Sequence, residues 1–387
     1  MEQLISNHPS IKMAQEMVKA SQKRVDSAFW EFFPTPSVDV SAKNGDRYTT
    51  VARLDQPIWT GGKLTSQYDM ARSKEKENLY LLQENSYKLI ENFLSILENY
   101  IQAKNNIFQL QIGLDKHYEL LKMLERRMDA GVSSSSDESL LQSRIEQINS
   151  DMASAKNRYK VAVMQLELML ERKLNCDVEL ANINLLHSKH IENSIDRMLN
   201  SHPSLQKANL EIQTAKYELD NTKSSIMPNV SLRAEHIRGD LYNENYDKDS
   251  SNQSVVYVTF TASTNAGLSA ISDIQAAKIR VNELKFKKET VKKELIDSVL
   301  NDYNNYENTK TRIGIVKNSI NASQNVLNSY TRLFIAGKRQ WLNLVDASRE
   351  LMQYNIQLSG LEATKAILMY RLALKNGQID LISGELK

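Results

Sequence analysis

The chain has 387 residues, 41% hydrophobic and 25% charged, with 49 Lys and Arg against 47 Asp and Glu. A net charge of +2 supplies no field for steering onto nucleic acid or an anionic surface, and the composition excludes a disordered chain. Gly 12 and Pro 6 lie far below the usual ~7% and ~5% shares, so turns are few and elements long, which disfavours a compact enzyme of many short elements. The single cysteine, Cys176, rules out an internal disulfide framework or a Cys-based metal cage and reads as a free thiol in a connecting segment. No apolar run reaches 18 residues, so no transmembrane helix is expected. Met1-Glu2-Gln3 leads straight into Leu4, so no signal peptide is visible, an absence that a trimmed sequence would share.

After His8-Pro9, residues 11–33 carry helical periodicity, which Pro34 and Pro36 end. Ser37 to Ala42 then alternates apolar and polar, and Lys43-Asn44-Gly45-Asp46 is a strong hairpin turn. The return strand, Tyr48 to Trp59, sets Thr50, Ala52 and Leu54 on one face and Thr49, Arg53 and Asp55 on the other. From Gly62 to Gly131 no proline interrupts roughly 70 residues, enough for a helix of roughly 100 Å. Such a length demands a coiled coil or a helical barrel, and Ile90, Phe93, Leu97, Tyr100, Ile107, Leu110 and Leu114 begin its narrow apolar seam. Tyrosines and methionines along it read as seam fillers. Ser133 to Ser136 with Asp137 reads as a turn and helix N-cap, after which Ser139 to Leu170 returns antiparallel.

The order then begins again. His8-Pro9-Ser10-Ile11 recurs as His202-Pro203-Ser204-Leu205, and Pro36-Ser37-Val38-Asp39-Val40 as Pro228-Asn229-Val230-Ser231-Leu232, at nearly one offset. Gly62 and Gly131 match Gly267 and Gly337 at a larger, again constant offset, so the second copy carries an insertion at Gly239 to Ser254, polar and rich in Asn, Asp and Ser. Its strands set Val230, Leu232 and Ala234 against Asn229, Arg233 and Glu235, and Val256, Val258, Phe260 and Ala262 against Tyr257, Thr259 and Thr261. A second long helix runs to Gly337 and Leu342 to Leu374 returns. The expected organisation is residues 1–34 as the helix of repeat 1, 35–60 as hairpin 1, 61–174 as helical hairpin 1 and 175–200 as a connecting segment. Residues 201–226, 227–265 and 266–376 repeat helix, β-hairpin and helical hairpin, and 377–387 form a tail.

Four strands cannot close a membrane barrel, for which eight is the usual minimum, and left open they expose unpaired edges. One apolar and one charged face is the pattern of lipid outside and water inside, so two or more chains are required. Arg53, Asp55, Arg233 and Glu235 are the expected lumen-lining residues, with strand-rim charges as the plain alternative. No phosphate loop, nucleophile elbow or metal-ligand spacing occurs, so neither a catalytic role nor a cofactor is expected, and His8 and His202 each lack a second ligand.

With these features the chain resembles the TolC-type outer-membrane efflux and secretion channels. The resemblance rests on the duplicated layout, the His-Pro-Ser openings and Gln56-Pro57-Ile58-Trp59-Thr60-Gly61-Gly62. It also rests on the tip motifs Arg127-Met128-Asp129-Ala130-Gly131 through Asp137 and Phe334-Ile335-Ala336-Gly337 through Val345-Asp346-Ala347. It implies an internally duplicated α+β fold, with helical hairpins building a helical barrel and four strands per chain entering a trimeric, twelve-stranded barrel. It implies a Gram-negative outer membrane, a large periplasmic part, and a periplasmic adaptor with an inner-membrane transporter of ABC or RND type as partners. Nucleic acid is not among them.

Matched by position, Asp137 and Arg339 would form the latch of the gate, and Phe334 replaces the family's usual tyrosine, losing a hydroxyl. Asn343 and Asp346 would stand at the constriction, leaving one acidic ring where two are usual. Trp341 is unexpected there and would plug the pore or meet a partner, while Gly131, Gly337, Arg127 and Arg332 would form the docking tips. The plain readings are solvated charges for Asp137 and Arg339 and left-handed caps for the two glycines. The Gln56 to Gly62 stretch looks more like members that serve type I protein secretion, with small-molecule efflux as the alternative and a soluble coiled-coil scaffold as the distant one.

Overall fold

The computed structural model describes residues 5, 7–43, 47–174, 191–239, 252–262 and 269–377. The expected hairpin turn at Asn44-Gly45, most of the insertion after Gly239, Gly267 and Cys176 lie outside these residues. The first copy runs α1 (Pro9–Trp30), β1 (Thr35–Lys43), β2 (Arg47–Trp59), α2 (Lys63–Asp129) and α3 (Ser135–Leu170). After α4 (Ile191–Ser201) the second runs α5 (Pro203–Ser224), β3 (Asn229–Gly239), β4 (Asn252–Thr261), α6 (Ser269–Ile335) and α7 (Trp341–Lys375). Both α2 and α6 have 67 residues, about 100 Å each at 1.5 Å per residue.

Two differences from the sequence reading have local causes. The first helix stops at Trp30 rather than Phe33, because Pro34 pushes the residue before it out of the helical region. The chain bridges the gap with tighter turns, Phe32 N to Phe29 O at 3.2 Å and Phe33 N to Trp30 O at 3.1 Å. Within the expected connecting segment lies α4, whose Met198 is fully buried.

Contacts divide the chain into two units, each drawn from both repeats. One consists of Lys12–Asn85 and Pro203–Lys293, the other of Met1–Ile11, Ser86–His202 and Glu294–Lys387. In the first, β1-β2-β3-β4 form one antiparallel sheet with β1 and β4 at its edges. The register Val38↔Ala52, Leu54↔Ala234 and Leu232↔Val258 gathers apolar residues of all four strands on one face, while Val51, Ile237 and Val255 share the other with the charged residues. Gly61, with φ +61, leads out of β2 where an added Cβ would stand 2.2 Å from Met227 Cβ, so no side chain fits there. Helix α5 docks on α2 through Thr214 and Ser73 (2.8 Å) and through an ion pair of Lys207 with Glu84.

In the second unit the seam residues Ile90, Phe93, Leu97 and Tyr100 are buried, in keeping with the three- and four-residue steps of the sequence. Gly113 gives α2 room for Met352 of α7, whose Sδ would lie 2.1 Å from an added Cβ. Near the end of α7, Lys375 is buried and pairs with Asp302 of α6. No described helix is long and apolar enough to cross a membrane.

Candidate functional site

Both helical tips turn in the same way. Gly131 (φ +72) and Gly337 (φ +70) take the left-handed conformation, and each closes the preceding helix with paired backbone bonds. Val132 N reaches Arg127 O at 2.9 Å and Gly131 N reaches Met128 O at 2.8 Å; Lys338 N reaches Leu333 O at 2.8 Å and Gly337 N reaches Phe334 O at 2.9 Å. The plain reading of these glycines as caps therefore holds. After the first cap Asp137 turns back onto the start of α3, accepting from Ser134 Oγ at 3.2 Å and Ser134 N at 3.4 Å. A carboxylate there also faces the positive end of the helix dipole.

The two tips share one core. Leu120 and Leu124 of α2, Leu141 and Ile145 of α3, Phe334 of α6 and Trp341 and Leu344 of α7 are all buried in it. Arg127 crosses from the first tip to the second. Its Nη1 donates to Phe334 O at 2.9 Å, and its guanidinium lies 4.4 Å from the Phe334 ring centre. Phe334 in turn meets Trp341 at 4.9 Å between ring centres. Phe334, lacking the hydroxyl, thus makes its links through its backbone carbonyl and its ring face.

Several expectations are redirected by this packing. Trp341 is only 4% exposed, so it is a core residue of the tip and not a ring free to plug a pore or meet a partner. Arg127 is half-buried and engaged within the chain, whereas Arg332, Gly131 and Gly337 are exposed. Within one chain Asp137 and Arg339 are not joined: Asp137 is held by Ser134, and the Arg339 guanidinium sits 4.2 Å from the Tyr330 ring centre. Asn343 and Asp346 fall together on the half-exposed side of α7, one turn apart, with Leu344, Val345 and Ala347 buried behind them. Asp346 Oδ1 has a loose contact to Arg349 at 3.8 Å.

The charged face of the sheet carries two ion-paired groups. Arg53 bridges Asp39 of β1 and Glu235 of β3, the latter at 2.8 Å, and Arg233 holds Asp55 at 2.6 Å. The structure thus pairs the four expected residues, Arg53 with Glu235 and Arg233 with Asp55, and adds Asp39, whose place between Val38 and Val40 marks it as polar-facing. On the opposite face Val38 is 67% and Phe260 69% exposed, and among the described residues no ion pair is recorded there. Among the described residues no cluster of His, Cys, Asp or Glu could hold a metal ion.

A family model described as outer membrane efflux protein matches residues 1–171 and 194–375. The chain belongs to the outer membrane efflux protein family. Members of this family are passive channels rather than enzymes, and they work with periplasmic adaptors and inner-membrane transporters. The fold is shared with solved outer-membrane channels of very different sequence. VceC of Vibrio cholerae is 12% identical with a TM-score of 0.83, and the match covers 97% of this chain and 94% of that one. The open state of MtrE from Neisseria gonorrhoeae is 14% identical with a TM-score of 0.78, over 97% of this chain and 87% of that one. CusC is 14% identical with a TM-score of 0.82, over 97% and 90%. No curated protein matches the chain in sequence. For this outer membrane efflux protein the four-stranded sheet and the paired helical hairpins are the family's channel-tunnel fold.

Proposed function

We propose that the chain is the passive exit duct of a tripartite transport system, closed as a homotrimer in the outer membrane of a Gram-negative bacterium. One observation carries this reading: a four-stranded sheet with an exposed apolar face, an ion-paired opposite face and two open edges. Unpaired edges in lipid cost several kcal/mol per backbone group, so the sheet must close with other copies. Two copies would give eight strands, a barrel filled by its own side chains; three give twelve and leave a lumen. The network of Asp39, Arg53, Asp55, Arg233 and Glu235 then faces water inside, and Val38, Val256 and Phe260 face lipid.

The tips are the gate. Because Asp137 and Arg339 have no contact within one chain, a latch between them forms across the contact of neighbouring copies, with Asn343 and Asp346 ringing the constriction. Arg332 and the exposed caps at Gly131 and Gly337 meet the periplasmic adaptor. For cargo we favour protein delivered by a type I system, on the Gln56 to Gly62 stretch; the family description favours small-molecule efflux as the second reading. Deleting the gene and comparing secreted proteins with susceptibility to toxic compounds separates the two. Loss of a secreted protein with unchanged susceptibility supports secretion; the reverse result overturns it.

A further inference from the structure

The two repeats differ in charge along their long helices. Residues 278–293 of α6 hold seven Lys and Arg against two Glu, whereas the matching residues 73–88 of α2 hold three cations and three acids. Part of this excess forms a row. Lys278, Lys285 and Lys292 are seven residues apart, close to two full turns, so they stand above one another along the helix. Elsewhere on α6 the charges are matched: Lys287 pairs with Glu211 of α5 at 2.8 Å, and Arg280 pairs with Glu283. Among the described residues the row has no ion pair, and Lys285 reaches only Asn282 Oδ1, at 3.3 Å.

At the middle of the row a cavity of about 610 Å³ opens between α5 and α6. Lys216 of α5 and Lys285 and Lys288 of α6 line it, with three amide side chains and a single acid, Glu289. The lysines supply charge, and the amides both donate and accept, as the N–H and C=O groups of a peptide backbone require. The length of the row sets the shape of its ligand. From Lys278 to Lys292 the helix rises about 21 Å, too far for one compact anion, and an extended peptide covers that span with about six residues. Carboxylates three residues apart in such a chain lie about 10 Å apart, which matches the spacing of successive lysines.

Other occupants fit less well. Counted from Ser269, the row begins about 13 Å down α6 and ends about 35 Å down, beyond a headgroup layer about 5–8 Å deep. A second copy offers no excess of acid from the helices of this unit. There α1 has four cations and two acids, α5 three of each, and residues 63–85 of α2 four of each. Stable docking patches are rich in Trp, Tyr and Arg and poor in Lys, and the cavity has none of the first three. Flexible lysines instead hold a passing chain loosely enough for it to leave, as a conduit requires. We infer that this lysine row lines the duct and takes acidic stretches of the exported polypeptide as an extended chain. The inference deepens the proposed function and rests on its duct and its protein cargo.

Block of single channels by a peptide tests it. The full chain is set in a planar bilayer, and a peptide of repeated Glu-Gly-Ser triplets is added from the barrel side, which leaves the gate out of the path. Its Gln-Gly-Ser counterpart is the neutral control. The acidic peptide should interrupt the current and the neutral one should not. Combining Lys278→Gln, Lys285→Gln and Lys292→Gln should shorten the blocked time about tenfold, the size of three exposed ion pairs lost. Combining Lys12→Gln, Lys19→Gln and Lys23→Gln on α1 removes the same charge and should leave it unchanged. Equal shortening in both variants, or equal block by the neutral peptide, would overturn the row as the site. Acidic peptide that binds the detergent-extracted protein but never blocks would also overturn the inference, and place the lysines on the outer wall. No binding and no block would leave the row without its ligand and end the inference. A wild-type chain that conducts nothing would instead remove the duct reading beneath it.

Discussion

At the tips, Arg127 holds the Phe334 carbonyl with one nitrogen and covers the same residue's ring with its guanidinium, and Trp341 closes the stack. This aromatic core is what holds the two tips of one copy together. Trp341→Ala should cost about 3–5 kcal/mol, the usual range for emptying a large aromatic site, read as a fall in the unfolding midpoint. A change under about 0.5 kcal/mol, the size of an ordinary surface effect, would contradict its burial. At the constriction, Asn343→Asp should deepen block by divalent cations, since a second carboxylate ring strengthens cation binding. Unchanged block would remove Asn343 from the pore.

His117 on α2 supplies a pH dependence. It is 1% exposed, with Nδ1 2.8 Å from Gly113 O. Burial pushes its pKa below the usual value, the Gly113 carbonyl pulls the other way, and the charge of Arg144 lowers it further. The folded chain therefore resists a proton that the unfolded chain accepts below about pH 6.5, so stability should fall as pH drops through that value. His117→Gln should flatten this slope of midpoint against pH. An unchanged slope would assign it to other groups.

Among the elements, the β-hairpins are legible because one face is mostly apolar and the other carries the charges, which writes period-two alternation into the chain. The helical hairpins are legible from missing prolines and from one glycine at each tip. Helix α4 is not: Ile191–Ser201 is mostly polar, and only its packing through Met198 reveals it. The burial of Trp341 is not legible, because a residue type at a tip does not say which side of the helix it occupies. Within the chain Asp137 and Arg339 have other partners, so the proposed latch between them would need a neighbouring copy, which the sequence of one chain does not display. Between elements, Gly61 is the tightest joint. Gly61→Ala combines a left-handed backbone with a Cβ 2.2 Å from Met227. It should lose about 1–3 kcal/mol and lower the yield of inserted protein, whereas Gly62→Ala, with nothing near its Cβ, should lose less. Equal losses would mean the Met227 contact is not what constrains the joint.

At the scale of the whole molecule, among the described residues the sheet has β1 and β4 at its edges and its apolar face lies exposed. The proposed closure by three copies would remove the edges, hide the charges of Arg53, Arg233 and their partners in a lumen, and bring six tips to one gate. The most direct test is the mass of the detergent-extracted protein, measured together with conductance in a planar bilayer. The account predicts a trimer with a small, cation-selective conductance. A monomer or dimer that needs no detergent and conducts nothing would contradict it, because its strands would then never have formed a barrel.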